Sequence, residues 1–170
     1  ECSVGLAVSP PGRGPLIDRV RREALGAGEA LPASADDSHA LQLVACGRPL
    51  PGHGVRIVDE AGGELPPRRV GRLEFRGPSA TRGYYRNPAA TARLIRDGWL
   101  DSGDLAYLAD GDIVITGRIK DMIIRGGRNL YPYELEVAVG GIPGVRRGCV
   151  AVFGVGAAGQ GTEKLVVVAE

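Results

Sequence analysis

The chain has 170 residues, 44% of them hydrophobic and 24% charged, with a formal net charge of +1. That is the composition of a globular chain able to build one or two small cores, and it gives no electrostatic case for nucleic acid or an anionic membrane. No apolar stretch approaches the roughly 18–20 residues of a transmembrane helix. The three cysteines, Cys2, Cys46 and Cys149, are far apart and odd in number. They form neither a disulfide framework nor a metal motif, so a reducing cytoplasm is the default location. With His39 and His53 as the only histidines, a histidine-based metal site is not expected.

The chain begins at Glu1 rather than Met and stops directly after the apolar run from Leu165. A piece of a longer protein is therefore expected. No leader-like segment opens it. Basic residues are almost all arginine, and the lysines are Lys120 and Lys164. A genome-level codon bias is the plainest explanation, and it leaves Lys120 few casual reasons to be lysine.

Residues 10–46 read as an insertion decorating a core. Ser9 to Pro15 is a loop by its turn residues, Leu16 to Leu25 is either a short helix or an extended run, and Ala33 to Ser38 is polar and exposed. From Leu41 the texture changes to short apolar runs between Gly and Pro. Val55–Val58 and Arg72–Phe75 alternate as strands do, and their spacing predicts an antiparallel barrel or sandwich over about 41–117. Asn87-Pro88-Ala89-Ala90-Thr91 is a helix start, with Asn as N-cap and Pro in the first turn. That helix is expected to end at Gly98-Trp99-Leu100. Leu105 to Ile115 holds two apolar runs around Asp110-Gly111, the strongest short hairpin signal. Beyond Gly117 the pattern predicts a strand over Ile119–Ile124, a loop at Gly126–Asn129 and a helix over Pro132–Val139 that buries Leu135, Val139 and Ala138. Two further strands, Cys149–Phe153 and Leu165–Val168, flank a Gly-rich turn. Strand, helix, strand, strand is a different architecture from the barrel, so a domain boundary is expected near Arg118 to Lys120.

The hairpin raises a chemical question. Asp104 lies just before it and Arg118 just after, so an antiparallel return brings an acid and an arginine close together. A carboxylate there can accept two hydrogen bonds from a vicinal diol such as a ribose. The plainer alternative is an Asp–Arg pair closing a hairpin, worth under about 1 kcal/mol. Gly126-Gly127 either allows close backbone approach to a ligand or makes an ordinary turn. Tyr84-Tyr85 can stack on a base, although core packing or a strand-surface pair is the commoner role.

The order of these pieces resembles the adenylate-forming superfamily of acyl-CoA synthetases, fatty acyl-AMP ligases, luciferases and nonribosomal peptide adenylation domains. Gly71-Arg-Leu-Glu-Phe-Arg-Gly-Pro78 with Arg82-Gly-Tyr-Tyr-Arg-Asn-Pro88 and Thr91 resembles its GELxxxGP…GYxxxPxxT element. Gly98-Trp-Leu-Asp-Ser-Gly-Asp-Leu105 resembles its W(L/Y)xTGD block, with Ser102 for the commoner Thr. Gly117-Arg-Ile-Lys-Asp121 resembles its hinge, and Gly127-Arg-Asn-Leu-Tyr-Pro-Tyr-Glu-Leu-Glu136 its GxxIxPxEIE helix start. The match runs from about Cys46 to the end of the chain. Arg128-Asn129 before Tyr131-Pro132, and the segment at 10–46, look like the fatty acyl-AMP ligase branch.

The resemblance implies an α+β, mainly β fold: a distorted antiparallel β-barrel ending a large domain (1–117), then the start of a small α+β lid (118–170). It implies ATP and Mg²⁺ as cofactors and a fatty acid or other carboxylate as substrate. It also implies acyl transfer to CoA or to the phosphopantetheine of an acyl carrier protein. Asp104 and Arg118 would hold the ribose of ATP and acyl-AMP, and Lys120 would be the hinge. Gly126 and Gly127 would line the pantetheine side, and Glu1 would help coordinate Mg²⁺. Neither the family's glycine-rich phosphate loop nor its late catalytic lysine occurs in these 170 residues, so the isolated chain is expected not to adenylate. Two competing readings are an acyl-CoA synthetase of the same fold and a non-catalytic, adenylation-like binding module.

Overall fold

A computed structural model describes residues 2, 5–126, 128–156 and 163–170, with backbone only for Arg128. The chain divides into two compact units, Glu1–Thr116 and Gly117–Glu170.

The first unit contains strands β1 (Ala7–Val8) and β2 (Ile17–Val20), helix α1 (Arg22–Gly26), and strands β3 (Leu41–Val44), β4 (Arg48–Pro49), β5 (Gly54–Val58) and β6 (Gly71–Arg76). Helix α2 (Pro88–Leu94) and strands β7 (Ile95–Arg96), β8 (Trp99–Ala109) and β9 (Asp112–Arg118) follow, β9 running across the division between the units. A five-stranded sheet runs in the order β5-β6-β8-β7, and β9 also pairs with β8. The recorded pairings within it are antiparallel, as the alternating runs predicted. The sheet curls into a half-barrel. One side is lined by Ile57, Leu73, Ala106 and Ile113, with Phe75, Leu94 and Leu100 forming an adjoining cluster.

Both tight hairpins of this sheet are Asp-Gly turns. Asp110 and Gly111 have φ of 51° and 85°, and Asp97 and Gly98 have 49° and 78°. Positive φ at both central positions gives the turn a twist that matches the flanking strands. The second turn ends α2 earlier than expected. The helix stops at Leu94, and Ile95 and Arg96 pair with Leu100 and Trp99 as a strand.

The segment at 10–46 is tied into the core. Val20, Leu25 and Ala30 are buried. The Tyr107 hydroxyl donates to Asp18 at 2.7 Å, and Arg68 reaches the same carboxylate. Arg13 pairs in two-pronged fashion with Asp112, at 2.7 and 2.6 Å. Residues 10–46 therefore complete the core rather than decorate it. Leu16–Leu25 is both of the alternatives offered, strand β2 and then helix α1.

The loop before α2 is held by its own side chains and backbone. Asn87 Oδ1 accepts the Ala90 N–H, capping the helix. Thr91 Oγ1 accepts the Tyr84 N–H at 2.9 Å and donates to the Asn87 carbonyl. Gly83 has φ of 131°, and a Cβ there would come within 2.5 Å of the Thr91 methyl. Tyr84 and Tyr85 are 46% and 85% exposed, so neither packs in the core nor lies on a strand.

The second unit opens with a 3-10 turn, Ile119–Asp121, closed by Met122 N–H donating to the Arg118 carbonyl. The predicted strand thus begins only at Ile123. Strands β10 (Ile123–Arg125) and β11 (Arg128–Leu130) pair, so 128 and 129 are strand rather than loop. Helix α3 (Pro132–Gly140) packs against β12 (Val150–Gly156), which pairs with β13 (Glu163–Ala169). Leu135 and Val139 are half-buried and Ala138 is exposed. Glu136 accepts the Val152 N–H at 3.1 Å, fastening helix to strand.

Replacing Thr91 with Val should lower stability by about 1–2 kcal/mol, because the Tyr84 N–H loses its acceptor. Gly83→Ala should cost more, adding a clash to an unfavourable φ. Chemical denaturation checks both, and a neutral Thr91→Val would contradict the role given to its hydroxyl.

Candidate functional site

The Asp104 site is built by a slip in the pairing of β6 with β8. Gly71 and Arg72 lie opposite Ala106 and Leu105, whereas Glu74 and Phe75 lie opposite Asp101 and Leu100. Between these pairs Leu73 faces three residues, Ser102, Gly103 and Asp104. Two extra residues are thus accommodated in β8 as a bulge. An even insertion preserves the alternation of faces. Leu100, Ala106 and Leu108 accordingly all face the core.

Local side chains hold the bulge. Asp101 Oδ1 accepts the Gly103 N–H at 2.8 Å, and Ser102 Oγ accepts the Asp104 N–H at 3.1 Å. Gly103 takes φ of 74°. These short-range bonds replace the sheet bonds that the bulge gives up. Asp104 is half-buried, inside β8 rather than in a loop before the hairpin as its Ser-Gly-Asp context suggested. Cys46 is exposed, and its thiol is pushed up first by partial desolvation and in smaller part by the Asp104 carboxylate.

Next to the bulge lies a charge network that the sequence reading missed. Glu74 is 4% exposed and stands directly across from Asp101. Like charges in such a pair repel. Arg56, Glu74's partner on the other side, binds it at 2.7 Å, while Arg72 lies 3.9 Å from Glu74 and 3.7 Å from Asp101. Arg56 and Arg76 place their guanidinium carbons 4.4 and 4.5 Å from the Trp99 ring centroid. The usable signals were the Asp-x-Gly and Ser-x-Asp spacings, in which a side chain caps a backbone N–H two residues on.

The candidates Arg118, Lys120 and Gly126 belong to the second unit. Arg118 ends β9 and is exposed. Lys120 is exposed in the 3-10 turn. Gly126 turns the β10–β11 hairpin with φ of 58°. Glu1 and Gly127 lie outside the described residues. Among the described residues no group of three or more His, Cys, Asp or Glu side chains is gathered to hold a metal ion. No described helix is long and apolar enough to cross a membrane.

Residues 16–85 match the family of AMP-binding enzymes. The structure resembles one from a study of fatty acyl-adenylate ligases of E. coli and L. pneumophila, with a TM-score of 0.84 and 34% identity over 96% of this chain and 29% of that one. The chain is homologous to AMP-forming ligases of the adenylate-forming superfamily. It is 36% identical to the long-chain-fatty-acid–AMP ligase FadD26 of Mycobacterium tuberculosis, over 89% of this chain and 28% of the relative. It is 44% identical to a feruloyl-CoA synthase of an Amycolatopsis species, over 59% of this chain and 20% of the relative. The chain therefore spans less than a third of the length of the relatives it matches. Within that span, the half-barrel is the subdomain fold of adenylation domains.

Arg13 holds the Asp112 carboxyl below its ordinary range through its hydrogen bonds, against the opposing effect of burial. A depressed folded-state value means that the pair contributes stability above the unfolded carboxylate value of about 4. That contribution is lost as the pH falls through the lower folded value. Asp112→Asn should therefore be less stable than the parent at pH 7, with the difference shrinking in acid. Melting curves from pH 7 to about 2.5 check this, and a constant difference would contradict it.

Proposed function

We propose that this chain supplies the ribose-binding and hinge portion of an ATP-dependent acyl-activating ligase. The parent reaction is carboxylate plus ATP to acyl-AMP plus pyrophosphate, followed by acyl transfer to a pantetheine thiol. The observation that carries this reading is the bulge. It sets a half-buried carboxylate, Asp104, within the central sheet of a chain whose relatives make acyl adenylates.

In this reading Asp104 accepts hydrogen bonds from the two ribose hydroxyls, and Arg118 assists at the same place. The first unit ends the large domain and the second begins the lid, with Lys120 at the pivot between adenylation and transfer. Gly126 and Gly127 line the pantetheine side. Mg²⁺ would balance the charge of the phosphates, with Glu1 as its ligand from this chain. The location is the cytoplasm. The acid is a fatty acid and the acceptor a carrier-protein phosphopantetheine. Support for that choice is the similarity to fatty acyl-adenylate ligases over almost the whole chain. The second reading, a CoA ligase, draws on the 44% identity to feruloyl-CoA synthase. Supplying free CoA or a holo-carrier protein as acceptor separates the two.

Asp104→Ala in the ligase should cut ATP–pyrophosphate exchange by about 100-fold and leave the melting temperature nearly unchanged. Unaltered kcat and KM for ATP would overturn the ribose assignment. Lys120→Pro should spare adenylation and impair thiol transfer. Equal loss of both half-reactions would contradict a hinge.

A further inference from the structure

Gly103 holds its left-handed φ of 74° beside the Asp101 carboxylate, whose Oδ1 accepts the Gly103 N–H at 2.8 Å. That bond requires the carboxylate to keep one orientation. Asp101 stands directly across from Glu74, and two acids so placed repel. Glu74 is buried, whereas the Asp101 side chain is 26% exposed. Asp101 is therefore the acid able to turn away toward water, and turning would release Gly103.

Two arginines divide the task of preventing this. Arg56 takes Glu74, its Nε and Nη2 meeting Oε2 at 2.8 and 2.7 Å. Arg72 lies between the acids, with Nη2 3.9 Å from Glu74 Oε1 and Nη1 3.7 Å from Asp101 Oδ2. Both are ion-pair distances rather than hydrogen bonds. The Arg72 Nε is buried with no hydrogen-bond partner among the described residues. Arg72 thus supplies charge rather than a directed bond. Since Arg56 already neutralises Glu74, the charge of Arg72 serves Asp101. It draws Oδ2 to one side while Oδ1 stays on Gly103.

We propose that Arg72 is a positioning residue for the nucleotide site. It fixes the Asp101 carboxylate, Asp101 fixes Gly103, and Gly103 with Ser102 sets the direction in which Asp104 presents its carboxylate. The effect on ATP rests on the ribose reading of Asp104; the effect on Gly103 does not.

The test has two arms, both in the ligase. The first follows deuterium exchange at the Gly103 amide, resolved by fragmentation mass spectrometry. Arg72→Met keeps an unbranched stem and removes the charge. It should speed that exchange about fivefold, the size of a partly exposed ion pair. Arg72→Lys should restore the parent rate, because a point charge suffices at these distances. Arg72→Met should have no further effect in an Asp101→Asn background. There the side-chain oxygen still accepts from Gly103, and no second anion faces Glu74. The second arm measures ATP–pyrophosphate exchange beside Asp104→Ala. Arg72→Met should raise KM for ATP about fivefold and leave kcat nearly unchanged, as expected for lost ground-state binding. Arg72→Lys and the Asp101→Asn background should again cancel the effect. Arg72→Gln serves as a second charge-free variant, and thermal melts check that each protein folds. Unchanged exchange at Gly103 in the folded charge-free variants, or an equal effect in the Asp101→Asn background, would overturn the proposal. Faster exchange with an unchanged KM would overturn the link to the nucleotide. If Asp104→Ala also leaves KM and kcat unchanged, the ribose reading itself falls.

Discussion

The pairing of β6 with β8 is the constraint on which the first unit turns. β8 is the longest strand and pairs with β6, β7 and β9. A slip of one residue would have sent its core side chains to the opposite face. The slip observed is two residues, so Leu100 packs on one side of the bulge and Ala106 and Leu108 on the other. The sheet keeps its core while three residues are freed to present a carboxylate. A regular strand would leave Asp104 committed to the ladder geometry.

The bulge is affordable because its neighbours are over-determined. Asp101 and Ser102 take up the local N–H groups, and Arg56 and Arg72 offset the repulsion between Glu74 and Asp101. Farther along the strand, Tyr107 is wholly buried and bonded to Asp18. At the far side of the hairpin turn Asp112 is fastened to Arg13. Both anchors come from the loop and strand before α1, so that early segment braces the β8–β9 hairpin. Burial of the Tyr107 ring and its bond to a carboxylate both push its hydroxyl up, so it remains a neutral donor.

Local chemistry was readable from sequence and long-range pairing was not. Asp110-Gly111 gave the hairpin and Asn87-Pro88 gave the cap of α2. The same Asp-Gly signal at Asp97-Gly98 was passed over because the helix was carried through it. The bulge left little mark, since a two-residue insertion keeps the apolar alternation intact. Arg13 with Asp112 and Asp18 with Tyr107 lie 99 and 89 residues apart in the chain. Nothing local distinguishes those residues from surface charges, so the segment at 10–46 looked peripheral. The family resemblance named Asp104, and the register slip explains how a residue inside a strand comes to present its carboxylate outside the ladder.

The most direct measurement is to excise the slip. Deleting Ser102 and Gly103 from the ligase restores an unbroken β6–β8 ladder with every core residue on its original face. Binding of AMP or a non-hydrolysable acyl-adenylate analogue is then measured by calorimetry beside a thermal melt. The account predicts a folded protein of similar or higher stability that has lost at least about tenfold in nucleotide affinity. A folded deletion variant that binds the nucleotide as well as the parent would contradict it.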